Sequence, residues 1–260
     1  MKILVTNDDG IYAPGLWAAV EALAGMAEVV VVAPDREQSG TGTAVTLNEP
    51  IRAVEVVPMV EGTKTFAVEG TPADAVILAL ETLVGEVDLV VAGINSGANL
   101  GADVMISGTV GAALQGYNRG IQSIAISVAS LRNVRFDSAA AVLASLAQQV
   151  AEGAVSATVL LNVNVPPMIR EDITGVDVTR LAGRRYADTV KLGDDGKRPY
   201  YWITRTRPAW NVEEGTDVWS VRHRRISVTP LNTDITAEAV LTDVQGLIEQ
   251  VQPLFEPKAG

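Results

Sequence analysis

The chain has 260 residues, 48% hydrophobic and 20% charged, which supports one α/β core with an appendage and excludes a wholly disordered chain. Its 20 basic and 31 acidic residues give a net charge of −11, which argues against general attraction to a nucleic-acid backbone and against a stable nucleic-acid complex. The absence of cysteine and the single histidine, His223, exclude disulfides, thiolate metal sites, thiol nucleophiles and any centre needing two imidazoles.

Lys2 to Thr6 reads as a buried strand that stops at the turn-forming Asn7-Asp8-Asp9-Gly10. Nothing leader-like precedes it, and no run of about 18 apolar residues occurs, so the expectation is a cytoplasmic protein without a membrane span. A helix from Leu16 to Ala24 and a strand from Glu28 to Ala33 complete a βαβ unit, the signature of a parallel sheet. Ala44 to Leu47, Ile51 to Val57 and Thr65 to Val68 read as short strands of an antiparallel insertion. Thr71 caps a helix that begins at Pro72 and runs to about Val84. Asp88 to Ile94 is a strand ending in Asn95, and Ser107-Gly108-Thr109 opens a helix to about Asn118. Gln122 to Val128, Asp137 to Gln149 and Thr158 to Val165 then read as strand, helix and strand, so the chain is predicted to form a doubly wound α/β sheet over residues 1–172.

Beyond residue 172 the composition changes. The stretch from Arg180 to Arg225 carries eleven basic and six acidic residues, a local net charge of +5, and six of the twelve aromatic residues lie between Tyr186 and Trp219. With strand-like pieces at Tyr200 to Thr206 and Arg225 to Val228, this reads as a basic, aromatic arm within a 173–260 extension. Trp202, Trp210 and Trp219 are candidate anchors of a subunit interface, because interface cores favour such residues. An amphipathic helix from about Thr236 to Val251 is expected to pack back on the core.

In an open α/β sheet, ligands bind beyond the carboxyl ends of the parallel strands. Three such ends are polar: Asn7-Asp8-Asp9, the segment Pro34 to Gly40 containing Arg36 and Ser39, and Asn95-Ser96-Gly97. Adjacent carboxylates resist ionising together unless a cation or several donors compensate. Oxygen ligands from Asp8, Asp9, Ser39 and Asn95 suit a hard divalent ion such as Mg²⁺ or Mn²⁺; capping of a turn is the equally simple role for the two aspartates. Ser107, Gly108 and Thr109 at a helix start offer N–H groups and hydroxyls to a phosphate, and ordinary N-capping again competes. Arg36 could clamp that phosphate or simply sit on the surface. Gly-x-Gly-x-x-Gly, the P-loop and Gly-x-Ser-x-Gly are all absent, which disfavours dinucleotide, P-loop and serine-hydrolase chemistry.

Lys2 to Gly10 followed by Ala13-Pro14-Gly15 resembles the opening of the SurE family, stationary-phase survival proteins that are metal-dependent 5′/3′-nucleotidases. The resemblance continues through Ala33 to Gly40, Gly70 to Asp74, Gly93 to Asn99, Ser107 to Val110, Leu160 to Pro166 and Ser227 to Leu231. It implies a Rossmann-like fold and one divalent ion per subunit on Asp8, Asp9, Ser39 and Asn95. It also implies a phosphate held by Ser107, Gly108 and Thr109, and an arm exchanged in a homodimer or homotetramer. Ile106 departs from the aromatic residue expected there, and His223-Arg224-Arg225 is more basic than expected.

The resulting expectation is a phosphomonoesterase acting on nucleoside 5′- and 3′-monophosphates and on short polyphosphate, with Asp8, Asp9, Asn95 and Ser107 as its catalytic groups. Water attacks phosphorus, or an aspartate attacks it directly. A non-catalytic metal- and nucleotide-binding sensor, or an assembly module joined by the arm, is the alternative.

Overall fold

The computed structural model describes residues 1–185, 188–196, 198–205, 209–210 and 212–251. Tyr186 and Thr206 of the expected arm lie outside the described residues, as does the Trp210 side chain. The first half of the chain forms β1 (Lys2–Thr6), α1 (Pro14–Ala24), β2 (Glu28–Pro34), β3 (Ala53–Glu55), β4 (Lys64–Val68), α2 (Pro72–Leu78) and β5 (Leu89–Ser96). It continues with α3 (Gly108–Tyr117), β6 (Gln122–Val128), α4 (Asp137–Ala151) and β7 (Leu160–Val165). The remainder supplies β8 (Gly175–Val178), β9 (Arg184–Arg185), β10 (Asp188–Asp194), β11 (Pro199–Arg205), β12 (Ala209–Trp210), α5 (Asp217–Arg222), β13 (Arg225–Leu231) and α6 (Leu241–Val251).

One sheet of nine strands runs β3-β4-β2-β1-β5-β6-β7-β13-β8, parallel except at the β3–β4 and β7–β13 pairs. Alternation along the strands divides the core into two layers. Ile3, Val5, Val29 and Val31 face Leu16, Val20 and Leu23 of α1 and Leu143 and Ala147 of α4. Leu4, Val30 and Val32 face Val76 of α2 and Val110 and Ala113 of α3. Helices on both faces make the sheet doubly wound, as the sequence predicts. The order also locates the switch point, since β1 lies between β2 and β5 and the chain winds outward in opposite senses from it. A crevice opens there, at the carboxyl ends of β1 and β5.

Several elements differ from their expected form. Ala44 to Leu47 is not a strand, because its polar backbone is tied instead by Asp74, whose carboxylate accepts from Thr46 N (2.9 Å) and Thr46 Oγ1 (2.6 Å). The insertion is antiparallel only at β3; β4 pairs in parallel with β2 and buries Thr65, Phe66 and Val68, so it belongs to the main sheet. The Arg225 to Val228 piece is not part of the arm but of β13, antiparallel to β7 and parallel to β8. Residues beyond 172 therefore contribute two strands to the core sheet as well as the arm, whose hairpin is β10 paired with β11. The final helix does not pack on the core within one chain. Its apolar stripe, Leu241, Val244, Leu247, Ile248 and Val251, is exposed, and residues 232–240 before it are exposed throughout, so no buried anchor draws it inward.

Candidate active site

The three polar strand ends meet at the switch point through backbone contacts. Gln38 N donates to Asp8 O at 2.7 Å and Ile11 N to Pro34 O at 2.8 Å, fastening the segment after β2 to the turn after β1. On the other side Ser96 N donates to Asp9 Oδ2 at 3.0 Å, tying that turn to the end of β5. The β5–β6 register shifts between Ala92 and Asn95, and such an irregularity re-aims the side chains that follow it. Asn95 is buried and its Nδ2 donates to Gly97 O at 2.8 Å, which orients the amide. Asp8, Asp9, Ser39 and Asn95 are thereby held on three neighbouring loops by interactions between those loops.

Asp8 is 4% exposed. Burial pushes its carboxyl up to about 6, against the opposing pull of the Thr109 hydroxyl and with help from the neighbouring Asp9 charge. Asp9 is also raised, chiefly by burial, while Ser96 lowers it and the Glu37 charge raises it. Two adjacent carboxylates with raised pKa values form a site that favours a cation. Among the described residues no three His, Cys, Asp or Glu side chains converge on a metal position. The candidate set instead combines two carboxylates with the neutral oxygens of Ser39 and Asn95, donors suited to a hard divalent ion.

Ser107 is the N-cap of α3 and its Oγ accepts from Val110 N at 3.1 Å. Capping is thus real here, yet it uses the hydroxyl as an acceptor and leaves its proton for another partner. Gly108 is required by close approach, since a Cβ there would lie 2.8 Å from Asp8 Cβ and 2.9 Å from Asp8 Oδ2. Thr109 does not present its hydroxyl to a phosphate; Oγ1 donates to Asp8 Oδ1 at 2.6 Å and the residue is fully buried. Arg36 is 72% exposed along its side chain and pairs with Asp35 at 3.7 Å, the surface arrangement rather than a phosphate clamp. Ser39 is exposed and its Oγ donates to Glu37 Oε1 at 2.9 Å.

A cavity of about 350 Å³ adjoins this centre and is lined by Asp8, Ser39, Asn99, Asp103, Ile106 and Ser107, with Gly40 and with Ile203 of β11. Asp9 and Asn95 stand outside that lining. The segment bearing Ser39 is tied to the stretch bearing Ile106, where Gly42 N donates to Ile106 O at 3.1 Å. Sequence reasoning missed Asn99 and its support. Asn164 Oδ1 accepts from Asn99 N at 2.9 Å, while Asn162 Nδ2 and Asn164 Nδ2 donate to Asn99 O at 2.8 and 3.0 Å. Two asparagines two residues apart on a buried strand were the available signal, because buried amides need partners. A cleft of about 400 Å³ beside α4, lined by residues including Val142, Leu146, Ile173 and Val176, contains none of the strand-end carboxylates.

Residues 3–188 match the family profile described as "Survival protein SurE". A protein of Dehalococcoides mccartyi named 5′-nucleotidase SurE is 46% identical over 245 residues, covering 93% of this chain and 92% of that protein. One of Thermus thermophilus, named 5′-nucleotidase SurE 1, is 46% identical over 257 residues, covering 97% and 100%. The crystal structure of the SurE protein from Aquifex aeolicus superposes with a TM-score of 0.81 at 39% identity, over 95% of this chain and all of that one. With the profile spanning most of the chain and these relatives nearly all of it, the chain belongs to the SurE family.

Proposed function

We propose that this protein is a nucleotidase, a phosphomonoesterase that releases phosphate from nucleoside 5′-monophosphates. The observation that carries the reading is the paired Asp8 and Asp9 at the switch point, with raised pKa values, beside the Ser107 start of α3. Names of the relatives support it, since those of D. mccartyi and T. thermophilus are 5′-nucleotidases. Activity on 3′-monophosphates and short polyphosphate is part of the same proposal, because the site reads the phosphoryl group.

Asp8, Asp9, Ser39 and Asn95 would hold one Mg²⁺ or Mn²⁺ ion per subunit, and the oxygen-only donor set fits such an ion. Bound there, a divalent ion supplies positive charge to the phosphoryl oxygens and acidifies water. The chain's own groups then act as follows. The Ser107 hydroxyl and the N–H groups at the α3 start donate to the equatorial oxygens, with Gly108 giving the backbone its close approach. Asp9, oriented by Ser96 N, accepts the proton of the attacking water. The P–O bond to the sugar breaks opposite the attack, the sugar oxygen takes up a proton from solvent while the proton on Asp9 returns to solvent, and phosphate and nucleoside are released.

A second copy of this chain is the proposed partner, in a homodimer or homotetramer. On β10–β11 Leu192 and Tyr201 are cross-strand neighbours, and both side chains are exposed. Trp219 is used differently, stacked on His223 within its own chain at 4.1 Å.

The test is phosphate release from a panel of nucleoside monophosphates by metal-stripped protein with Mg²⁺ or Mn²⁺ restored, beside Asp8→Asn. Release that needs the ion and fails in the variant supports the reading. No release by folded protein would turn it toward a nucleotide-binding sensor or an assembly module. Radiolabelled phosphate trapped on acid-quenched enzyme would replace water by an aspartate as the nucleophile.

A further inference from the structure

Asp217 is a fully buried carboxylate that the reaction above does not use. Its Oδ2 accepts from Gly101 N at 2.6 Å, and its Oδ1 accepts from Ala182 N at 2.9 Å and from its neighbour Val218 N at 2.8 Å. Among the described residues no basic side chain is among the groups that shift its pKa. Burial raises its pKa and only backbone N–H groups lower it. The chain thus carries the desolvation cost of a buried carboxylate in order to hold three backbone segments together.

Two of those segments run on into residues that line the cavity. Gly101 opens the 3₁₀ turn Gly101–Ile106, and Asn99, Asp103 and Ile106 of the 99–106 stretch line the cavity. Ala182 and Asp217 stand at the two roots of the arm, which are stitched by Asp217 N to Arg180 O (3.0 Å), Arg180 N to Gly215 O (3.0 Å) and the Arg180–Thr216 bridge. The arm delivers Ile203 to the same cavity. One carboxylate therefore joins residues 99–106, which line the cavity, to the base of the arm, which lends Ile203 to the same lining. The phosphoryl end is anchored separately, by Thr109 on Asp8 and by the Ser107 cap on Val110 N.

We infer that Asp217 is a positioning residue that sets the width of the cavity for the leaving group of the substrate, without acting on the phosphoryl centre. This rests on the phosphomonoesterase reading and specifies which part of the substrate the arm serves. An ester whose leaving group fills the cavity, a nucleoside monophosphate, depends on Asp217; a minimal alkyl phosphate such as methyl phosphate does not.

Asp217→Asn keeps the shape but replaces one acceptor oxygen by an NH₂ donor, so it must release either Gly101 or the arm root. The experiment measures kcat and KM of wild type, Asp217→Asn and Ile203→Ala on AMP and on methyl phosphate, with melting temperatures alongside. Asp217→Asn is expected to raise KM for AMP by about tenfold or more, the size of losing one charge-assisted bond. Its kcat/KM on methyl phosphate stays within about threefold of wild type, below half a factor of ten on that scale. Ile203→Ala, on an exposed hairpin, shifts KM for AMP in the same direction and keeps the test valid if Asp217→Asn does not fold. Equal losses on both esters, or unchanged KM for AMP in the folded variants, overturn the inference. Wild type that releases phosphate from neither ester overturns the phosphomonoesterase reading, and the inference with it.

Discussion

Thr109 Oγ1 lies 2.6 Å from Asp8 Oδ1, so the helix that begins at the phosphate end of the cavity also braces the carboxylate that ends β1. Both residues are buried, and their bond is made across the sheet's switch point, between segments 101 positions apart in the chain. Thr109→Val keeps the side-chain shape and removes the donor, leaving a buried carboxylate oxygen without it. The variant should lose about 1–3 kcal/mol of stability in urea titration and lose turnover as well. Unchanged stability would mean that water replaces the hydroxyl.

Gly108→Ala probes the same contact from the backbone. Its methyl group would stand 2.8 Å from Asp8 Cβ, so the aspartate must shift while helix propensity improves. Turnover should fall by on the order of 10²-fold, the usual cost of displacing a reacting group by about 1 Å, with little change in melting temperature. Wild-type turnover would show that Asp8 tolerates displacement.

The stability of metal-free protein should depend on Asp8 with a definite sign. Its carboxyl titrates at about 6 in the fold against an ordinary value of 3.8, so the folded state holds the proton more tightly than the unfolded state between those limits. Stability therefore declines as pH rises through that window, by on the order of 3 kcal/mol from this group. Asp177 behaves oppositely, because its hydrogen bond with Arg225 lowers its pKa and its contribution is lost as pH falls. Comparing wild type with Asp8→Asn isolates the first effect; the loss of urea midpoint between pH 4.5 and 7 should be smaller in the variant by the share of Asp8, the other titrating groups remaining. Added Mg²⁺ should raise the wild-type midpoint at pH 7 and leave Asp8→Asn unmoved.

Arg36→Gln tests a residue whose chemistry invites a role its position does not support. The side chain is exposed and its ion pair with Asp35 at 3.7 Å is of the kind worth about 0–1 kcal/mol. Phosphate release should stay within about twofold of wild type, less than the loss of one such surface contact. A tenfold rise in KM would restore Arg36 to the phosphate site.

Subunit association through the arm is checked by light scattering of Leu192→Ser/Tyr201→Ser. These residues are cross-strand neighbours on the hairpin and both are exposed in the single chain. The double variant is expected to give smaller particles, and an unchanged mass would assign the interface elsewhere.

Much of the architecture was legible in the chain because strand and helix patterns are local. Runs such as Val29 to Ala33 are apolar on both faces, as a strand covered by helices on each side must be, and Thr71-Pro72 marks a helix start by its own chemistry. The polar strand ends were legible for the same reason, and with them Asp8, Asp9, Ser39 and Asn95 as residues that share one edge of the sheet. What no local pattern contains is how a side chain is used once distant segments meet. The Thr109 hydroxyl at a helix start looks available to a phosphate and is committed to Asp8; Ala44 to Leu47 looks like a strand until Asp74 claims its backbone. Asn162, Asn164 and Asp217 are unremarkable polar letters until burial obliges them to find Asn99, Gly101 and Ala182 as partners. Elements follow from neighbours in sequence, but the partner of a buried polar group is chosen by the fold, since only the packed structure removes the water that would otherwise satisfy it.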